Sequence, residues 1–213
     1  MSARPIRVLL VEDHQMVREG LCSLLESTND MTVLAEAHDG ADAIRVAEER
    51  GPDVVVMDVS LPGLNGIDAT LRLNRRRPDI PVVMLSMHDD AATVDRALRA
   101  GARGYVLKGA GVEYLCDAIR AVYQGEVYLS SGISDYILQG YLNSDDPHTD
   151  PLTEREREVL QLIAEGYTSR EIAERLDLKT KTVQNHRANI MDKLDIRTTA
   201  GLVRYALSNG LIN

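Results

Sequence analysis

The sequence predicts an α/β fold, a doubly wound parallel sheet of five strands, followed by a small all-α domain of four helices. Three observations carry this: five short β-branched runs that alternate with segments of helical period, a polar stretch bounded by proline after them, and a final stretch with helical period alone. The strand candidates are Ile6–Val11, Thr32–Ala37, Val54–Asp58, Val82–Ser86 and Gly104–Leu107. Most are nearly continuous in apolar residues, as strands covered on both faces are. Between them Val17, Leu21, Leu24 and Leu25 form one helical stripe, Ala43, Ile44 and Ala47 a second, and Val94, Ala97 and Leu98 a third; a helix from about Val112 to Tyr123 closes the series. Asp39-Gly40, Gly51-Pro52, Pro62-Gly63, Pro78 and Gly101 punctuate the segments.

Residues 1–125 therefore read as the first domain. Residues 126–151 read as a linker, with a helix over 130–142 and a polar stretch from Asn143 to Pro151. Residues 152–213 read as the helical domain, in which Thr153 with Glu156 and Thr168 with Glu171 have the spacing of capping boxes. A short helix at about Ser169–Leu176, a tight turn and a longer helix to about Leu194 make a helix-turn-helix layout, and Thr198–Ser208 forms the last helix.

Of the 213 residues 44% are hydrophobic and 27% charged, which excludes a disordered chain. The apolar runs are too short to span a bilayer, and no signal-peptide pattern opens the chain. Cys22 and Cys116 are single thiols in helical patterns, so the reading is a cytoplasmic protein with no membrane partner. The net charge of −9 is unevenly spread: residues 1–143 carry −7, whereas residues 175–213 hold seven basic and three acidic side chains. A polyanionic partner is thereby confined to the C-terminal part.

The first strand runs into Glu12-Asp13, the third ends in Asp58, the fourth in Ser86, and Lys108 follows the fifth. Ligands of doubly wound sheets bind outside these carboxyl ends. Any one of these residues alone is more often a helix cap or a surface group; five at four strand ends of one sheet are a constellation. Three converging carboxylates call for a hard cation such as Mg²⁺. With a hydroxyl and an ammonium they are the equipment of in-line phosphoryl transfer onto an aspartate. His14 and His88 flank the crevice and read as solvated rim residues.

These residues fall in VEDH at 11–14, MDVSLPGLNG at 57–66, VVMLS at 82–86 and GYVLK at 104–108, and with them residues 1–125 resemble the receiver domain of two-component response regulators. The resemblance implies a flavodoxin-like fold, Asp58 as phosphoacceptor, and Glu12, Asp13, Asp58 and the backbone carbonyl of Ser60 as Mg²⁺ ligands. It implies that Ser86 and Lys108 contact the phosphoryl group, that Ser86 and Tyr105 form the switch, and that a sensor histidine kinase is the donor. Phosphohydrolases that use an aspartyl phosphate usually carry an acid two residues after the nucleophile, and here that position is Ser60. A regulator that binds DNA without phosphorylation is a further alternative. The chain reads as no enzyme beyond self-phosphorylation and autodephosphorylation at Asp58.

Residues 152–194, LTEREREVLQLIAEGYTSREIAERLDLKTKTVQNHRANIMDKL, resemble the LuxR-type helix-turn-helix of the NarL/FixJ class. Val183, Ile190 and Leu194 form the inward stripe of the third helix, with Gln184, Asn185, Arg187 and Ala188 outward. Gln and Asn suit adenine in the major groove, and Arg187 and Lys193 suit phosphate or guanine. Lys179, Lys181, Thr182 and Arg197 complete the expected contacts to double-stranded DNA. Lys179 stands where the family usually has a capping serine, which leaves Thr180 as the candidate cap. The last helix, with Ala200, Val203, Leu207 and an outward Tyr205, resembles the family's dimerisation element, so a homodimer on an inverted-repeat operator follows. Glu154, Glu156, Glu158 and Glu165 read first as a solvated face and second as a contact for RNA polymerase or for the receiver.

Overall fold

The computed structural model describes residues 4–130, 133 and 151–212. The chain divides into two compact units, Met1–Asn143 and Ser144–Asn213. In the first, strands and helices alternate: β1 (Ile6–Val11), α1 (Gln15–Glu26), β2 (Met31–Ala37), α2 (Gly40–Arg50), β3 (Val54–Asp58), α3 (Gly66–Arg76), β4 (Val82–Ser86), α4 (Ala91–Arg99), β5 (Gly104–Leu107), α5 (Val112–Tyr123) and β6 (Tyr128–Leu129).

All strand pairs are parallel, in the order β2-β1-β3-β4-β5-β6. The continuous apolar runs are explained by two cores, one on each face of the sheet. Leu9, Val11, Val55, Met57 and Met84 point into one, with α2, α3 and α4; Val8, Leu10, Val54, Val56 and Val83 point into the other, with α5 and the flank of α1. The strand order places the ends of β1 and β3 side by side at the reversal of winding, where such folds bind ligands.

The sheet has six strands rather than five. β6 lies in the segment read as linker and covers what would otherwise be the open edge of β5: Tyr128 N–H donates to Arg103 O at 3.0 Å and Ser130 N–H to Tyr105 O at 3.1 Å. Two residues are too few to leave a periodic signal. The helix expected over 130–142 falls, apart from Ser130 and Ile133, outside the described residues.

The helices of the second unit are α6 (Glu154–Ala164), α7 (Ser169–Arg175), α8 (Thr180–Leu194) and α9 (Thr199–Ser208). Both capping boxes form, at Thr153–Glu156 and Thr168–Glu171. Val159, Leu160, Ile172, Val183, Ile190, Leu202 and Ala206 make one core. Thr180 is the first helical residue of α8 and not its cap; Lys179 holds the cap position and offers no side-chain bond. Glu156 and Glu158 are buried rather than solvated, because the first bonds Thr153 and Lys193 and the second Arg155. Tyr205 is half-buried against the core rather than outward. Among the described residues no helix is long and apolar enough to cross a membrane.

Candidate functional site

In the first unit the carboxyl ends of β1, β3, β4 and β5 bring the expected residues together. Asp58 ends β3 with 2% of its surface exposed, and Glu12, just past β1, is fully buried. Lys108 Nζ reaches both carboxylates, donating to Glu12 Oε2 at 2.8 Å and Asp58 Oδ2 at 2.9 Å. Ser60 N–H donates to Asp58 Oδ1 at 3.4 Å. Ser86 is buried at the end of β4, and its Oγ accepts from His88 N–H at 2.9 Å. Tyr105 is fully buried, and its hydroxyl donates to His88 O at 2.8 Å.

The electrostatics follow from this burial. Desolvation pushes the Asp58 carboxyl up to about 6, with Lys108 opposing and Glu12 reinforcing the shift. Burial works against the Lys108 ammonium, but the carboxylates of Asp58 and Glu12 outweigh it and its pKa lies above the ordinary value. Burial likewise raises the Tyr105 phenol, which therefore acts as a hydrogen-bond donor.

Three neighbouring residues complete the pocket. His14, read as a solvated rim residue, has an exposed ring, yet its Nδ1 lies 2.8 Å from Asp13 Oδ1 and 3.1 Å from Glu12 Oε1. The Asp13 contact lacks hydrogen-bond alignment, so this buried carboxylate oxygen accepts no bond. Ligand atoms of Glu12, Asp13 and His14 lie within 4.8 Å of one another and are, among the described residues, the group that could hold a metal. Asp58, whose oxygens accept from Lys108 and Ser60 N–H, is not part of that group. The orphaned Asp13 oxygen beside a buried glutamate is a donor set that suits a hard cation. Arg18, which the sequence reading missed, donates to Glu12 O at 2.8 Å and to Glu36 Oε2 at 2.9 Å, fixing the loop after β1. Its only signal was a cation on an otherwise amphipathic helix. Gly66 is needed where α3 begins, because a Cβ there would lie 1.8 Å from Asp58 O.

In the second unit α8 presents Lys181, Gln184, Asn185 and Ala188 to solvent, with Lys179 exposed just before it; Thr182 and His186 are half-buried. Among the described residues neither Lys179 nor Lys181 has an ion-pair partner. Three expected contacts are engaged within the unit instead. Arg187 Nη2 donates to Thr199 Oγ1, Lys193 Nζ donates to Glu156 Oε2 at 2.7 Å, and Arg197 pairs with Asp192 and Asp195.

A buried strand-end aspartate bonded by lysine beside a buried glutamate, joined in one chain to a helix-turn-helix, is the arrangement of a receiver joined to a DNA-binding domain. The chain belongs to the response regulators: residues 8–120 match the response regulator receiver domain, and residues 150–206 match the bacterial regulatory proteins of the luxR family. It is similar to the transcriptional regulatory protein LiaR of Bacillus subtilis, 41% identical over 98% of this chain and 100% of that one. The oxygen regulatory protein NreC of Staphylococcus haemolyticus is 39% identical over 98% of this chain and 100% of its own. Among solved structures, RcsB from Salmonella enterica serovar Typhimurium, bound to promoter rprA in the presence of phosphomimetic BeF3−, matches with a TM-score of 0.65 and 25% identity over 95% of this chain and 98% of that one. The protein is thus a transcriptional response regulator and not a typical enzyme.

Proposed function

We propose that Asp58 accepts a phosphoryl group from the phosphoimidazole of a sensor histidine kinase and that the resulting acyl phosphate controls dimerisation and sequence-specific DNA binding. The observation that carries this is the buried Asp58 carboxylate with Lys108 Nζ at 2.9 Å and Ser86 at the neighbouring strand end. An Asp58 oxygen attacks phosphorus as the P–N bond breaks and the imidazole leaves. The Lys108 ammonium offsets charge on the phosphoryl oxygens, and the Ser86 hydroxyl donates to one of them. Glu12 and Asp13, with Asp58 and the Ser60 carbonyl, are the residues that would hold Mg²⁺. When bound, the ion supplies charge neutralisation at the phosphoryl group. The receiver also hydrolyses its own acyl phosphate slowly, its sole enzymatic property in this reading.

Residues 1–125, extended by β6, are the receiver in this reading, the segment to 151 is a linker, and 152–213 is the DNA-binding head. Gln184, Asn185 and Ala188 face base edges in the major groove, with Arg187 and Thr182 beside them. Lys179, Lys181, Lys193 and Arg197 lie toward phosphates, Lys193 and Arg197 after release from their acidic partners. A homodimer reads an inverted repeat in the cytoplasm, and the charged face of α6 is a candidate contact for RNA polymerase. The test is incorporation of phosphate from acetyl phosphate with Mg²⁺. Wild type takes up one phosphate and Asp58→Asn none; uptake surviving the substitution sinks the assignment. DNA affinity that is equal for the two proteins under phosphorylating conditions at matched salt would favour a phosphorylation-independent regulator.

A further inference from the structure

We infer that β6 and Ile133 form a clip that positions Tyr105 and carries the state of the phosphoacceptor pocket to the chain leaving the receiver. A continuous series of bonds supports it. At the pocket, His88 N–H donates to Ser86 Oγ at 2.9 Å, and the carbonyl of the same His88 accepts from the Tyr105 hydroxyl at 2.8 Å. At the other end of Tyr105, its carbonyl accepts twice from one residue, from Ser130 N–H at 3.1 Å and Ser130 Oγ–H at 3.3 Å. Ile133 N–H then donates to Ser130 O at 2.8 Å. The series therefore starts at the Ser86 hydroxyl and ends in the segment after α5.

Packing runs along the same route. Tyr105 and Ile133 are both fully inaccessible and belong to one buried cluster with Val94 and Ala97 of α4, and Leu129 of β6 packs against it. Ser130 is buried as well. Protein interiors are packed to near-crystal density, so a displacement of the Tyr105 ring is passed to the side chains that share its cluster. The edge pairing of Tyr105 with Leu129 ties the backbone to the same movement. When Ser86 turns its hydroxyl toward a phosphoryl oxygen, the first link changes, His88 and the phenol readjust, and Ser130 and Ile133 follow. Ser130 and Ile133 act through Tyr105 and touch no reacting atom. They are positioning residues.

This inference rests on Asp58 being the switch, so the experiment separates the two. Amide hydrogen exchange is followed on the full chain with Mg²⁺ alone and with Mg²⁺ plus fluoroberyllate. In wild type the amides of Tyr128, Ser130 and Ile133 should change rate together with those of Ser86 to Tyr105. The change should be about fivefold or more, the lower end of ordinary coupling between sites. Asp58→Asn should show neither response. In Ile133→Ala the Ser86–Tyr105 response should persist, which shows a folded and occupied pocket, while the response at residue 133 is lost; Ile133→Val should restore it. If residues 86–105 respond in wild type and 128–133 do not, the clip is refuted and the Asp58 reading stands. A wild-type response in Ile133→Ala also refutes the clip. If no amide responds to fluoroberyllate, both readings fall.

Discussion

Replacing Asp58 by asparagine should stabilise the unphosphorylated receiver at neutral and alkaline pH. The reason is the cost of an ionised carboxylate at a site with 2% exposure beside buried Glu12. The folded-state pKa is raised from 3.8 to about 6, which corresponds to about 3 kcal/mol of destabilisation by the charge. Lys108 keeps Glu12 as a partner at 2.8 Å after the substitution, so the ammonium is not left unpaired. The expected gain is therefore about 2–3 kcal/mol at pH 8, or roughly 5–10 °C in the receiver's unfolding midpoint. Because the folded pKa lies above the unfolded one, the folded state holds the extra proton between the two values. Wild-type stability then falls as pH rises from about 4 to 6 and is level above that window. Below pH 4 both states of wild type are protonated at this position, and the advantage of asparagine should shrink toward zero. Urea unfolding followed by circular dichroism at pH 4, 6 and 8 in EDTA measures this, and millimolar Mg²⁺ at pH 8 should narrow the gap by stabilising only wild type. An asparagine variant no more stable than wild type at pH 8, or a gain that persists undiminished at pH 4, would refute the argument.

Gly66→Ala places a methyl 1.8 Å from Asp58 O, so the loop after β3 must shift; a loss of about 2–3 kcal/mol in urea and a sharp drop in phosphate uptake are expected, and wild-type values for both would contradict the packing argument. In the second unit Glu156→Gln should cost about 1–3 kcal/mol at pH 7, since it weakens bonds to Lys193 and Thr153. Burial opposes ionisation of Glu156, yet the Lys193 and Thr153 bonds hold its pKa below the ordinary value; the stability is present above that ordinary value and lost as pH falls through the lower one, so wild type and variant should converge in acid unfolding scans. Lys181→Ala, which removes an exposed cation at the start of α8, should lower the slope of log affinity against log salt for duplex DNA by about 1, whereas an unchanged slope removes Lys181 from the phosphate contacts.

The alternating elements of the first unit were legible because each buried strand is a run such as Val54–Met57 or Val82–Leu85, and because two-faced burial leaves no polar alternation to confuse the period. The residues at the strand ends were legible for the same reason: once the order of windings is set, Glu12, Asp58, Ser86 and Lys108 have one place to meet. The two capping boxes were local signals, each complete within four residues. Contacts between residues far apart in sequence, and single side-chain orientations, were decided only by tertiary structure. β6 exists because β5 offers an unpaired edge, a property of the sheet and not of Tyr128 or Leu129. Glu156 looked like one of several surface glutamates until α8 brought Lys193 to within 2.7 Å of it, and the same contact takes Lys193 out of the free cations of that helix. His14 looked like a rim residue until the turn after β1 folded its ring back over Glu12 and Asp13. Hydrophobic period and turn chemistry act over a few residues and so are written in the sequence. The partner of a lone charge is chosen by whatever the completed core places beside it, because burial makes an unpaired charge costly and leaves only nearby groups to satisfy it.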